Sequence, residues 1–301
     1  MLRLDDFKKL TLDDKPVFDK HYTKYPPTHS DDVFTTMISW MEYSNYHYTI
    51  VDENIVIMTQ LNNMTRLRPP SGKRNGELLK QVLSLAKQEG EDTPFGVANS
   101  SMKEWILEHF PKLKFQEHRD YFDYVYRSSD LANLPGSEYS KIRNRLNKFK
   151  KNHAYDIELI TDENMGEVNE FLKRWCLWKD CDSDEILANE KKAILYSMSH
   201  FFDLGLSGII IRVEGNIEAL AVYEELNPDT AVVHYEKGSP YFDGIYKAIN
   251  METAKILQKN YAFINREEDM GIVGLRKAKM SYRPHHMVEV YHVNKEDINV
   301  E

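Results

Sequence analysis

The apolar and polar positions along the chain fall into two stretches with the same order of elements. In the first, alternation over 46–51, a polar Asp52-Glu53-Asn54 turn and a second alternating run over 55–60 predict a hairpin. A helical period over 76–88, a short strand at 95–98, a helix running from Ser101 as N-cap to 110, and strand material over 114–126 follow. The second stretch opens with a strand at 157–160 and helical periods over 164–178 and 184–202. It continues with a hairpin, 208–213 and 217–224 around Glu214-Gly215-Asn216, and a third strand over 230–236. A helix over 242–258, a strand at 261–264, a short helix at 272–280 and a last strand at 287–293 complete it.

Set side by side, the two hairpin turns correspond, as do GELLKQVLSLAK with GIYKAINMETAK and TPFGVANSS with YAFINREED. The shared order predicts a diverged internal duplication, against the alternative that any two mixed α/β halves align this loosely. The segment joining the halves is not a Gly/Ser linker, because 137–152 reads as a capped helix, so packed halves are expected. The expected fold class is α/β with mixed sheets in two domains, 1–135 and 136–301, the second beginning with that connecting helix.

Composition removes several classes of function. Hydrophobic residues at 42% support a real core, while 29% charged residues and a mean hydropathy of −0.58 describe a well-solvated surface. With 39 Lys+Arg against 48 Asp+Glu the net charge is −9, which argues against coating nucleic acid or anionic lipid over the whole surface but leaves room for a local basic patch. Cys176 and Cys181 are too few for a disulfide framework and suit a reducing compartment, so the expected location is cytoplasmic, with peripheral membrane association open. No targeting segment is read at the N-terminus. The most apolar run, 204–213, is about half a membrane span, so no transmembrane role is expected.

Three segments concentrate candidate chemistry. Lys141, Arg143, Arg145, Lys148, Lys150 and Lys151 crowd one stretch with no acid among them, and at helical spacing Lys141, Arg145 and Lys148 share a stripe while Ile142, Leu146 and Phe149 form another. Such a face suits phosphates, or is a solvated helix balanced by acids elsewhere. NREEDMGIVGLRKAKMSYRP, at 265–284, follows a strand directly, where ligands collect in open α/β sheets. Asn265, Arg266, Glu267, Glu268 and Asp269 offer acids and amides, Arg276, Lys277 and Lys279 suit clamping of an anion, and Gly271 and Gly274 permit close backbone approach. The alternative is a surface turn whose charges pair with one another. The third segment, HYEKGSPYFDGIYKAIN, passes from a strand ending at Glu236 through a Gly-containing turn into a helix, a start that binds anions or is an ordinary turn. Cys176, Cys181, His153, His200 and the His285-His286 pair lack metal-ligand spacing, so no metal site is expected. GxGxxG, GxxxxGK[ST] and GxSxG motifs are absent from the sequence, which removes nucleotide hydrolysis and serine hydrolase chemistry.

DYVYRSSDLANLPGSEYSKIRNRLNKF, HYEKGSPYFDGIYKAIN and above all INREEDMGIVGLRKAKMSYRP resemble the DUF2156 group, which is similar to the C-terminal domain of phosphatidylglycerol lysyltransferase. The resemblance covers nearly the whole chain. It implies two tandem GNAT-like acyltransferase folds with an acyl donor meeting its acceptor in a cleft between them. It implies an aminoacyl group moved from charged tRNA, or an acyl group from acyl-CoA, to a lipid or a small amine or hydroxyl acceptor, with no permanently bound cofactor. On that reading Glu236, Glu267 and Asp269 are the acids to serve as base or ammonium binder, and Asn265, Arg266, Arg276 and Lys279 orient the donor or face an oxyanion. Lys237, Tyr246, Asn250 and Tyr282 are further substrate-binding candidates, and Arg143, Arg145 and Lys148 meet a tRNA end or a lipid phosphate. Membrane-modifying members carry a transmembrane region before this domain, and none is read here. A catalytically silent GNAT-like ligand-binding or protein-interaction module is the alternative from another class, and acetyl-CoA-dependent N-acetylation through the turn at 238–244 is a third. The first half lacks the polar density of 265–284, so chemistry is expected in the second.

Overall fold

A computed structural model describes residues 1–61 and 64–300 of the chain. The strands are β1 (Lys8–Lys9), β2 (His47–Val51), β3 (Asn54–Leu61), β4 (Met64–Leu67), β5 (Phe95–Ala98), β6 (Phe115–Glu117), β7 (Asp123–Arg127), β8 (Tyr155–Leu159), β9 (Ser207–Val213), β10 (Asn216–Asn227), β11 (Thr230–Gly238), β12 (Phe263–Asn265), β13 (His286–Val288) and β14 (Val290–Val293). The helices are α1 (Lys15–Tyr22), α2 (Phe34–Ser39), α3 (Met41–Ser44), α4 (Gly76–Glu89), α5 (Ser100–His109), α6 (Ser128–Asn133), α7 (Ser140–Asn152), α8 (Met165–Lys179), α9 (Glu185–Ser199), α10 (Ile245–Leu257) and α11 (Val273–Ser281).

Two compact units form, Met1–Asp123 with Val288–Glu301, and Tyr124–Met287. Each contains a seven-stranded mixed sheet, ordered β1-β2-β3-β4-β5-β14-β6 in the first and, read in the matching direction, β8-β9-β10-β11-β12-β7-β13 in the second. The strand senses agree along these orders: antiparallel through the first four strands, parallel at β4/β5 and β11/β12, antiparallel again at β5/β14 and β12/β7. Both hairpins use two-residue turns with positive φ at each central position, 49° and 63° at Asp52 and Glu53, 53° and 81° at Glu214 and Gly215. That backbone twist matches the right-handed twist of the flanking strands. The duplication expected from the sequence is thus present as repeated topology.

The sixth strand of each sheet comes from the other half of the chain. β14 inserts between β5 and β6, and β7 pairs with β12. For that reason the units divide at 123/124 and 287/288, not at the expected 135/136. It is also why the strand material expected over 114–126 separates into β6 and β7, and the strand expected over 287–293 into β13 and β14. α5 is capped by Asn99, whose side chain accepts from the Met102 amide, not by Ser101. Helices α1 to α3, for which no sequence expectation was formed, complete the first unit.

The first core packs Leu79, Val82, Leu83 and Ala86 of α4 with Phe95 and Val97 of β5 and Ile106 of α5, all essentially inaccessible to solvent. The second gathers around α10, where Ile245, Ala248, Ile249 and Ala254 meet Ile209, Ile211, Ala219, Ala221, Ala231 and Val233 of the sheet. Basic helix α7 joins it through Ile142, Leu146 and Phe149, the apolar stripe expected from its sequence. Gly244 caps α10 at φ 100°, and a Cβ there would lie 2.8 Å from the Arg145 carbonyl oxygen and 2.9 Å from Phe149 Cβ.

Gly244→Ala is expected to cost about 3 kcal/mol, and Gly215→Ala, which meets only backbone strain, about 1 kcal/mol. Equal costs in denaturant unfolding would mean that the approach of α7 imposes nothing at Gly244.

Candidate functional site

β11 and β12 pair in parallel only from Thr230↔Phe263 to Val232↔Asn265. β12 stops there while β11 runs on to Gly238, so the two part beyond their last shared position, at their carboxyl ends. Such a parting is where open α/β sheets admit ligands. A bulge decides which side chains line it. Val222 pairs with Tyr235 and Tyr223 with Val233, leaving His234 as the inserted residue on β11. The insertion reverses the alternation. Ala231 and Val233 face the α10 core, and after the bulge Glu236 lies on that side, bonded to Asn250 of α10. Tyr235 and Lys237 turn to α9, reaching Ser197 and Glu190.

At the opening, Arg266, the first residue after β12, forms an ion pair through Nη2 with Glu236 Oε2, while Asn250 Nδ2 donates to Glu236 Oε1 at 2.9 Å. The guanidinium lies 5.0 Å from the Tyr282 ring centroid and 5.7 Å from that of Tyr126. Burial opposes its charge, but Glu236 and the two phenols raise its pKa above the usual value. Arg266 Nη1 and Asn250 Oδ1 are buried and have no hydrogen-bond partner. A buried donor and acceptor left open are costly, and both flank one carboxylate. On the first turn of α10, Lys247 Nζ lies 4.8 Å from the Tyr282 ring centroid. Burial pulls its ammonium down to about 8, with Arg266 and Arg145 pulling the same way and Glu236 opposing. The site therefore offers an unfilled donor, an unfilled acceptor and an amine whose pKa is drawn down to about 8.

Beside it, His234 donates or accepts at both ring nitrogens, 2.8 Å from Glu267 Oε1 and 2.8 Å from Glu224 Oε1. Burial disfavours charge on the ring, but the hydrogen bonds to Glu224 and Glu267 prevail and raise its pKa to about 10. As an imidazolium it donates to both carboxylates and ties β10, β11 and the segment after β12 together.

Asn265, Asp269, Arg276 and Lys279 bond within the turn itself. Asp269, fully buried, accepts from Arg276 Nε and Nη2 at 2.9 and 2.7 Å, from Tyr124 at 2.5 Å and from the Gly271 amide at 2.9 Å. Burial works against the carboxylate, yet these donors hold its carboxyl below the usual range. Lys279 Nζ donates to the carbonyls of Arg266, Glu267 and Glu268, and Asn265 Oδ1 accepts from the Glu267 amide. The pairing of charges within the turn, set out as the alternative reading of this segment, accordingly describes Asp269, Arg276 and Lys279, while Arg266 and Glu267 face outward to Glu236 and His234. Lys237 packs 4.2 Å over the Trp175 ring and bonds Glu190, and Tyr246 receives the Trp175 indole N–H at 3.3 Å. Arg143 is occupied by the Leu134 and Gly136 carbonyls, which makes it a brace for the 134–136 turn. Arg145 and Lys148 are exposed, Lys148 within 3.3 Å of Asp243.

Lys247, His234, Glu224 and Tyr126 escaped the sequence reading. For His234 the available signal was its place two residues before Glu236 in a strand, and for Lys247 its place three residues after Gly244. Tyr126 carries no local signal, because β7 reaches the second sheet only through strand exchange.

Two copies of one mixed sheet, each with helices packed on it, make up a tandem GNAT-like fold. Residues 22–294 match the family model described as phosphatidylglycerol lysyltransferase, C-terminal, and the chain belongs to that family. A conserved protein of unknown function from Bacteroides thetaiotaomicron is 32% identical, with a TM-score of 0.87 over 96% of this chain and 98% of that one. L-PGS from Bacillus licheniformis shares the fold at 12% identity, with a TM-score of 0.63 over 93% of this chain and 91% of that one. An uncharacterized protein of Mycoplasmoides gallisepticum is 23% identical over 58% of this chain, an alignment that spans 56% of that protein. Among the described residues no helix is long and apolar enough to cross a membrane, and no cluster of three or more His, Cys, Asp or Glu is arranged to hold a metal ion.

A group whose pKa is raised on folding stabilises fully below its unfolded value and stops doing so above its folded one. His234 therefore contributes most below about pH 6.5 and loses its contribution as pH rises through about 10. Its ring ¹⁵N resonances are expected to stay those of an imidazolium from pH 6 to 9, and a midpoint near 7 would contradict the two-carboxylate clamp. Asp269→Asn is expected to lower unfolding stability by about 2 kcal/mol, as a buried ion pair loses one partner.

Proposed function

We propose that the chain is an acyl or aminoacyl transferase whose reacting carbonyl sits where β11 and β12 part. The observation that carries this reading is the buried Arg266 guanidinium with an unfilled Nη1, set against Glu236 and beside the unfilled Oδ1 of Asn250. A preorganised, dehydrated donor of this kind stabilises an oxyanion as it develops, with little reorganisation at the moment of reaction. Asn250 Oδ1 accepts a substrate N–H, and Glu236 holds Arg266 and Asn250 in place. Neutral Lys247 serves as the base.

In the step, an acceptor hydroxyl or amine attacks the donor carbonyl carbon and its proton passes to Lys247. The carbonyl oxygen gathers negative charge against Arg266. The bond from carbonyl carbon to the leaving oxygen or sulfur then breaks, and the leaving group takes the proton back from Lys247, so atoms and charge balance. Kinship with the lysyltransferase family favours an aminoacyl ester on tRNA as donor and a lipid or small hydroxyl or amine as acceptor, with an acyl thioester of CoA as the competing donor.

The test supplies radiolabelled aminoacyl-tRNA or acyl-CoA with a panel of lipid and amine acceptors and follows transfer of the label. The rate is expected to rise with pH through a midpoint near 8, as Lys247 loses its proton, and Lys247→Arg is expected to remove that dependence. Arg266→Lys, which keeps the charge but loses the second donor, is expected to lower kcat by about 100-fold. A donor that binds and is recovered unaltered with every acceptor would make the chain a binding module.

A further inference from the structure

Cys176 and Cys181 are the chain's two cysteines, and in a continuous helix their spacing would set them about 140° apart around the axis. α8 ends between them. Asp180 takes the left-handed conformation, φ 51° and ψ 55°, and its amide bonds back to the Cys176 and Leu177 carbonyls. The chain reverses there and enters one 3-10 turn, Cys181–Ser183, whose Ser183 amide donates to the Asp180 carbonyl. The reversal brings the sulfurs together: the Cys181 thiol donates to Cys176 Sγ at 2.9 Å. The turn is held from its far side as well, because Asp184 accepts the Ile186 and Leu187 amides at the start of α9 and Asp182 pairs with Lys191 at 3.0 Å. Lys237, the residue after Glu236 on β11, is gripped by both helices, by Glu190 of α9 at 2.7 Å and by the Trp175 ring of α8.

We infer that Cys176 and Cys181 form a redox-active dithiol that closes reversibly into a disulfide on meeting a small, uncharged or cationic disulfide oxidant, tying the end of α8 to the start of α9. Sulfurs already in contact have little farther to travel, since the bond spans about 2.05 Å. Burial divides the roles. Cys176 is half-buried next to Leu177, which is 81% exposed, so an oxidant in solution reaches it, while Cys181 is buried. Burial, the hydrogen bond to Cys176 and neighbouring Glu190 push the Cys181 thiol up to about 12 against the opposing pull of Lys237, so it keeps its proton at neutral pH. Cys176, as thiolate, therefore attacks first, forming a bond to one sulfur of the oxidant as the oxidant's S–S bond breaks and one thiol departs. The Cys181 sulfur then attacks the Cys176 sulfur of the mixed disulfide, and its proton leaves with the second departing thiolate. Two protein thiols are oxidised and one disulfide is reduced to two thiols, so atoms and electrons balance. The charge of the oxidant matters because Asp180, Asp182, Asp184 and Glu185 are all exposed around the turn, with Lys191 paired to Asp182 alone among them, and this surface repels an anion.

Incubation of the reduced full chain with cystamine, followed by thiol titration and mass spectrometry, tests the inference. Wild type is expected to lose both titratable thiols and to carry no cysteamine adduct. Trypsin, which cuts after Arg174, Lys179 and Lys191, is expected to release residues 175–179 and 180–191 as one linked species. Cys181→Ser is expected to keep a cysteamine adduct on Cys176, because no second thiol expels it, and Cys176→Ser is expected to leave buried Cys181 unreacted while the chain stays folded. Excess dithiothreitol is expected to return both thiols and the original thermal transition. Anionic glutathione disulfide is expected to react about tenfold more slowly than cystamine at low salt. A lasting adduct on wild-type Cys176, separate recovery of the two tryptic peptides, a bond formed between chains, a bond that dithiothreitol does not open, or equal rates with the two oxidants would each overturn it. None of these readings depends on acyl transfer, so the dithiol and the transferase reading stand or fall separately.

Discussion

Burial of a guanidinium beside a single carboxylate is the constraint around which the second unit is arranged. Removing Arg266 from water is expensive, and the ion pair with Glu236 recovers that cost only if both groups are held where they meet. Glu236 is on the correct side of β11 because His234 is inserted in the bulge. Arg266 is on the correct side because the turn that follows it is fixed from within. Lys279 draws three successive carbonyls together, Asp269 clamps Arg276 and Tyr124, and Asn265 accepts from the Glu267 amide. The protonated His234 then ties this turn back to the sheet through Glu267 and Glu224. Much of the charge in 265–284 thus exists to position two residues.

The first unit offers a useful contrast, because it too buries an arginine. Arg68 Nη1 donates to the Asp31 carbonyl and to Asp32, its Nη2 reaches the Tyr46 hydroxyl at 3.4 Å, and its guanidinium lies over the Tyr46 ring. Burial opposes its charge and Tyr46 and the two aspartates overcome it. Both its Nη1 and Nη2 meet structural partners, whereas Arg266 keeps Nη1 open. Where the chain leaves the first unit, Asp123 accepts from the Ser30 amide and hydroxyl at 2.7 and 2.8 Å, beside buried His29.

How much was legible in the sequence follows from how local each feature is. Hairpin turns at 52–53 and 214–215, the helical period of α4 and α10, and the apolar stripe of α7 all depend on neighbours within a few residues, and all appear as read. The segment 265–284 stood out by polar density, and Glu236, Arg266, Asn250 and Tyr282 do converge there. Density alone does not separate a clamp from a site, which is why Asp269, Arg276 and Lys279 were grouped with Arg266 although they hold the turn. Lys247 looked like any lysine on an exposed helix start until Tyr282, Arg266 and burial surrounded it.

By itself, the sequence determined the elements, their repetition and the region where polar groups gather, because periodicity and turn chemistry act between residues close in the chain. The tertiary structure alone decided which half each of β7 and β14 serves, since strand pairing is a choice among distant partners of similar pattern. It alone decided which charges are neutralised and which remain available, because the worth of a buried donor depends on the atoms that reach it through space. Arg266 and Arg276 are equivalent in a list of residues; deeper burial, and one buried nitrogen left without a partner, set Arg266 apart.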